Sequence, residues 1–431
     1  MLAGFASIFR TPDLRNKVLI TLGLLALYRM GCFIPIPGVS YRSVQTCIDV
    51  VEGNSLYGLI NLFSGGALLQ LSVFALGVVP YITASIIIQL LTVVIPRLEA
   101  LKKEGQSGQA KMTQYTRYLT VGLAVLQCTG IVALARSPGR LFQGCPEQLV
   151  PNQSIAVVLS MILTMTAGTV LVMWFGEIIT DKGIGNGMSL LIFASILSAF
   201  PGQFATIFQT KGAFILGLVL LVALITICAV VYVEQAQRRV PVQYAKRMVG
   251  NKLYGGASTY IPLKVNMAGV IPVIFASSLL YIPQLIVTLS GSQSGWAQWI
   301  QTNFTTGDKP IYLLTYFLLI VFFAYFYVAI TFNPVEVADD MKKYGGFIPG
   351  IRAGKPTAEY LNYVLTRLTF PGSLYLGVIA IIPFAGFAML GVGQNFLFGG
   401  TSLLIMVGVG LDPVKQLQSQ LQQRNYEGFL R

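Results

Sequence analysis

Histidine is absent from all 431 residues, and acids are scarce: 16 Asp and Glu stand against 29 Lys and Arg. Without histidine the chain lacks the commonest metal ligand and the commonest general base. The five cysteines form no metal or disulfide framework. Cys32, Cys128 and Cys228 lie in or beside apolar runs and read as small packing residues. Cys47 and Cys145 fall in gaps between runs, where a bridge between them and two unrelated thiols are both open. There is no GxxxxGK[ST] phosphate loop, which argues against ATP hydrolysis through that motif. The glycines of DKGIGNGMS have GxGxG spacing but precede an apolar run, so they read as a helix start and a tight packing turn.

Charge of either sign is sparse: 10% of residues are charged, 55% are hydrophobic, and mean hydropathy is +0.70. A soluble chain of this length buries a core with far fewer apolar residues. Runs of about 18 or more nearly uncharged residues are transmembrane candidates. We place ten spans at 18–36, 72–95, 118–135, 154–176, 184–200, 212–233, 265–289, 311–332, 371–390 and 396–411. The short basic N-terminus and the long first run predict no cleavable signal peptide. The spans contain no carboxylate pair, which argues against an ion-coupled pump. Arg29 is the one clear charge inside a span, expected to snorkel or to pair with backbone carbonyls near its outer end.

The basic residues that remain are sorted. Of 29 Lys and Arg, 23 fall in every second gap between the spans. Basic loops stay cytoplasmic, so this alternation orients the chain with both termini in the cytoplasm. It also requires the two weakest spans, 184–200 and 396–411, since dropping either breaks the parity. Five spans precede residue 212 and five follow, giving two units, 1–211 and 212–431. Odd-numbered halves begin and end on opposite sides, so any repeat relating them is inverted, with a path near the midplane.

Two stretches do not fit simple spans. Residues 55–95 are too long for one crossing, and Gly65–Gly66 divides them. The first part, 56–70, is either a helix lying in the interface or a segment filling a cavity; periodicity favours neither. The other feature is two long basic loops, 234–264 and 333–370, which mix cations with Tyr, Phe, Gly and Pro. Orientation and lipid headgroup binding need fewer residues, so we read them as ordered docking loops for a large anionic or acidic partner. The net charge of +13 carries the same two readings.

Eight segments carry a resemblance. They are YRMGCFIPIPG (28–38), the run 61–96 beginning NLFSGGALLQ, KKEGQSGQAKMTQYTRY (102–118), ITDKGIGNGMSLLIFA (179–194), VEQAQRRVPVQYAKR (233–247), PLKVNMAGVIPVIFASS (262–278), FNPVEVADDMKKYGGFIPGIRAGKPT (332–357) and FGGTSLLI (398–405). Together they resemble the SecY family of bacterial protein-conducting channel subunits. The resemblance implies an all-α polytopic membrane protein. Ten transmembrane helices would form two inverted five-helix halves around an hourglass pore. It implies a plug at Leu56–Leu71, including Leu56, Ile60, Leu62, Phe63, Gly65, Gly66 and Leu68, and so the cavity-filling reading. It implies an apolar pore ring of Val78, Ile82, Ile192, Ile274 and Ile405, with Met188 one turn from Ile192. Val78 stands where Ile is usual, implying a slightly wider or looser ring.

A lateral gate is implied between spans two and three and spans seven and eight, with Gln89 and Asn266 as a polar pair holding it shut. The basic loops become a docking surface for the SecA ATPase and the ribosome, through Arg238, Arg239, Lys246, Arg247, Lys252, Arg352 and Lys355. Ala353 replaces a usual Pro there, which bears on loop rigidity and partner affinity. Further implied partners are the SecE and SecG subunits, signal sequences, nascent polypeptides and anionic lipids. The implied location is the bacterial cytoplasmic membrane, with no cofactor and no enzymatic activity. The rival classes are a secondary transporter, weakened by the missing midplane charge, and a membrane-embedded enzyme, weakened by the missing catalytic groups.

Overall fold

The structure is a computed structural model, which describes residues 11–51, 64–136, 148–244, 247–249, 252–254, 258–290, 295–304, 309–390 and 400–429. Helix α1, Pro12–Gly31, starts from an extended Thr11 with Pro12 in its first turn, where the missing N–H has no helical partner to lose. The short α2, Tyr41–Val51, follows. Helix α3, Val79–Val94, ends at an extended Ile95 because Pro96 disfavours helical backbone in the residue before it. Pro96 then opens α4, Pro96–Lys103, which turns away by 101°. Helices α5, Gln106–Arg136, and α6, Ile155–Lys182, are each long enough to span.

Helix α7, Gly187–Gln235, is two spans joined at Gly212, whose φ of 83° and ψ of 173° break the helix. Strands β1, Gln237–Tyr244, β2, Arg247–Val249, β3, Lys252–Tyr254, and β4, Ser258–Lys264, follow. Helices α8, Ile271–Ser290, α9, Gly295–Phe304, α10, Pro310–Thr331, and α11, Pro334–Lys343, come next, then strand β5, Gly346–Phe347, and helices α12, Lys355–Leu390, and α13, Gly400–Phe429.

Among the described residues, six helices are long and apolar enough to cross a membrane, and the bent pair α3–α4 makes a seventh. Each of the ten expected spans has a helical counterpart, although the boundaries shift. Span two begins at Val79 and not at 72, because positive φ at Gly65, Gly66, Leu71 and Gly77 keeps residues 64–78 in tight turns. The span expected at 371–390 begins at Lys355, so the end of the second basic loop is helical. Helix α5 likewise begins twelve residues ahead of the expected 118.

The hydroxyls inside these helices are satisfied locally. Thr116, Thr120, Thr164, Thr166 and Thr169 each donate to the carbonyl four residues back. In lipid no water is available to do this. One group of contacts runs α3–α5–α6–α7, with α1 against α6 and α7. Another runs α8–α10–α12–α13. Helix α13 packs on α7, and α8 touches α3, which joins the two groups. Large apolar side chains such as Phe214, Leu221, Leu224 and Phe322 face outward. That surface suits lipid. The chain is an all-α polytopic membrane protein.

Candidate functional site

Four elements converge on one apolar cluster. Val78 caps α3, Ile192 comes from α7, Ile274 from α8 and Ile405 from α13; all four are buried, and Ile82 packs against them. The Ile82 N–H donates to the Val78 carbonyl at 3.1 Å, so the two side chains sit one turn apart on one face. Met188 and Ala67 belong to the same cluster. The start of α7 that carries Ile192 is held tightly. Asn186 accepts from the Ser189 N–H at 3.2 Å, and the Gly187 N–H donates to Thr180 at 2.9 Å. A Cβ on Gly187 would lie 1.9 Å from the Gly176 carbonyl oxygen, so only glycine permits this approach. The glycines of DKGIGNGMS are thus a helix start and a packing turn, as their spacing suggests.

A closure made of branched hydrocarbon has two chemical properties. It dewets, which blocks ions, and it offers an extended polypeptide no hydrogen bonds to stick to.

Next to this cluster lies the turn segment 64–71. Leu56, Ile60, Leu62 and Phe63 are outside the described residues. Of the rest, Ser64, Ala67, Leu68 and Leu71 are all buried, and Gly65 and Gly66 adopt φ of 64° and 94°. Ala67 joins the central cluster, while Leu68 and Leu71 join a second cluster with Val44, Cys47 and Met161. The described part of the segment is inside the protein and not laid along its surface. Arg29 Nη1 donates to the Gly65 carbonyl at 2.8 Å, the backbone pairing expected for it. Cys32, Cys128 and Cys228 are free thiols, and Cys47 is disulfide-bonded. Cys145 lies outside the described residues.

The expected amide pair needs correction. Gln89 on α3 is half-buried, Asn266 just ahead of α8 is buried, and no hydrogen bond joins them. The Asn266 amide instead donates to Glu234 Oε1 at 2.5 Å and to the Gly269 carbonyl at 3.1 Å. A carboxylate is the stronger acceptor, so it captures the amide. Glu234 was missed by sequence reasoning. An acid at a span end beside a basic loop looks like a solvated flank, yet it is buried. The available signal was its position, three residues ahead of β1 on a helix that runs straight into the strand.

The two basic loops are one platform. Strands β1 and β4 pair antiparallel, with Val240 opposite Ile261, and β5 adds to the other edge of β1, with Gln243 opposite Phe347. Val240, Val242 and Leu263 from the first loop pack on Met341, Ile348, Leu361 and Val364 from the second. Arg238, Arg239, Arg352 and Lys355 are exposed on this platform. The Arg239 guanidinium lies 4.8 Å from the Tyr260 ring centre. The Arg352 carbonyl accepts from the Thr357 hydroxyl at 2.9 Å, which fixes the loop beside α12. Arg247 and Lys252 lie on the short β2–β3 ladder, opposite Tyr254 and Val249, and Lys246 is outside the described residues.

The SecY family model matches residues 72–414. The chain is 66% identical to the protein translocase subunit SecY of Streptomyces scabiei, covering 100% of both chains. Its fold is similar to a solved protein-conducting channel, with a TM-score of 0.63 at 19% identity over 94% of this chain and 92% of that one. It is also similar to Sec61 from a canine ribosome–channel complex of the endoplasmic reticulum, with a TM-score of 0.59 at 19% identity over the same shares. With a family model matching well over half of its length and a full-length relative at that identity, the chain belongs to the SecY family and is a protein-conducting channel subunit.

Proposed function

We propose that the chain is a passive, gated conduit that translocates unfolded secretory polypeptides and releases membrane segments sideways into the bacterial cytoplasmic membrane. The observation that carries this reading is the single buried cluster of Val78, Ile82, Ile192, Ile274 and Ile405, drawn from both helix groups. In this reading the cluster is the pore ring of the closed channel. Residues 56–71 are the plug beside it. The lateral gate opens where α3 meets α8, with Gln89 and Asn266 on its two sides. The units 1–211 and 212–431 are the inverted halves that separate.

The platform of Arg238, Arg239, Lys246, Arg247, Lys252, Arg352 and Lys355 receives the machine that drives transport, SecA or the ribosome. The ribosome-bound Sec61 among the structural neighbours supports the second of these. Clustered guanidinium and ammonium groups suit the phosphates and carboxylates of such partners and of anionic lipids. SecE and SecG complete the complex, both termini are cytoplasmic, and no step requires catalysis by the chain itself. Signal sequences enter through the gate.

The test is a secretory chain stalled in transit, with a photocrosslinker at Ile82 or Ile274 of the channel. We expect crosslinks from both positions to the translocating chain. Crosslinks only to lipid or to other channel helices would remove the pore assignment.

A further inference from the structure

We propose that Arg29 is the closed-state latch of the plug: it holds the Gly65 carbonyl and so fastens the plug root to α1. The inference rests on reading residues 56–71 as the plug. A cation within a span is costly, so one that persists there has a partner. Arg29 does not simply reach for the surface. Its Nη1 donates to Gly65 at 2.8 Å, and its guanidinium lies 5.3 Å from the Phe33 ring centre. The segment it holds is irregular backbone, which survives at membrane depth only where protein groups satisfy it.

The seat is built from two helices. Tyr28 and Ser195 share a hydrogen bond at 2.8 Å beneath it, and both side chains are buried. Cys32 directs its thiol at the Ser64 carbonyl at 3.8 Å, and the Ser64 hydroxyl accepts from the Leu68 N–H at 3.2 Å. The fit at Gly65 leaves no spare room. With φ at +64°, a Cβ there would lie 2.5 Å from Arg29 Nη1 and 3.1 Å from Ser195 Cα. Glycine is favoured by its backbone conformation, and a methyl here would push the guanidinium off the carbonyl.

The seat also touches the ring. Ser195 follows Ile192 by three residues on α7, so the two lie on adjacent turns of one face. A polypeptide that spreads the ring at Ile192 shifts the helix that backs the latch. One charge-assisted hydrogen bond is strong enough to bias the closed state and weak enough to break, at about ten- to a hundred-fold in an equilibrium.

The purified channel complex, reconstituted in planar bilayers without cargo, tests this by its conducting fraction. Arg29→Met is expected to raise that fraction about tenfold. Arg29→Lys, which keeps a cationic donor, should restore part of the closure. Deletion of 56–70 should leak more than either, and adding Arg29→Met to the deletion should change little, because the latch then has nothing to hold. Gly65→Ala, which evicts the guanidinium but leaves Arg29 in place, should leak like Arg29→Met and serves where that variant fails to assemble. A leaking deletion with tight Arg29→Met and Gly65→Ala channels overturns the latch and leaves the plug reading intact. A deletion that does not leak overturns both. A leak from Arg29→Met that adds in full to that of the deletion shows Arg29 acting elsewhere, and also overturns the latch.

Discussion

Asn266 and Glu234 show how a single acceptor decides a local structure. Two amides, Gln89 and Asn266, were expected to pair across the gate, and a buried carboxylate takes the bond. Glu234 ends α7 and Asn266 precedes α8, so their contact closes the neck of the β1–β4 hairpin. In the proposed reading this contact lies between the docking platform and the root of a gate helix. Asn266→Leu would leave a buried carboxylate without its amide donor, a loss of about 1–3 kcal/mol. We expect a lower unfolding midpoint for the purified Asn266→Leu channel and a much smaller change for Gln89→Leu. Equal shifts would mean that the two amides act together after all. Arg29 and Glu234 were both visible as residues in the sequence, but only their contacts show which charges are structural.

At the scale of elements, the platform is the main addition. The sequence separates its two basic loops by two spans and places both on one side, but it shows no contact between them. Strand β5 and a shared apolar core join them into one sheet-backed surface. Arg238, Arg239, Arg352 and Lys355 are exposed on the elements that this core joins. Arg352→Glu, an exposed substitution away from the platform core, should leave membrane insertion and the unfolding midpoint unchanged and strongly reduce export of a secretory substrate in vitro. Normal export by that variant would remove Arg352 from the docking surface. The Thr357 hydroxyl donates to the Arg352 carbonyl and pins the loop just ahead of Ala353.

At the scale of the whole molecule, a protein-conducting channel has to stay shut to ions when it is idle. The apolar cluster takes residues from α3, α7, α8 and α13 and so ties the two helix groups together; in the proposed reading, separating the groups opens it. Nothing polar on these five side chains would hold water in the closed state. Replacing both Ile82 and Ile274 with Ser introduces two hydroxyls and removes branched hydrocarbon from the seal. The double variant should pass ions in planar bilayers where the parent channel is closed. A tight double variant would mean that the seal lies elsewhere. One element also carries several of these residues, since α7 bears Ile192, Ser195 and Glu234. This helix run, broken at Gly212, thereby connects the apolar cluster to the basic platform.

Hydropathy and charge were enough to determine the class, the approximate spans and the position of the basic loops, because lipid imposes long uncharged runs and the sorting of cations. They also flagged Arg29 as a charge in need of a partner and the glycines near 185 as a packing turn. What they could not determine was any contact between distant segments. The late start of α3, the capture of Asn266 by Glu234, the union of the two loops and the grip of Arg29 on Gly65 all depend on which groups meet across the fold. Periodicity reports which face of an element is apolar. It carries no record of the partner, so the shared apolar cluster and the Arg29–Gly65 contact emerge only when the helices are packed.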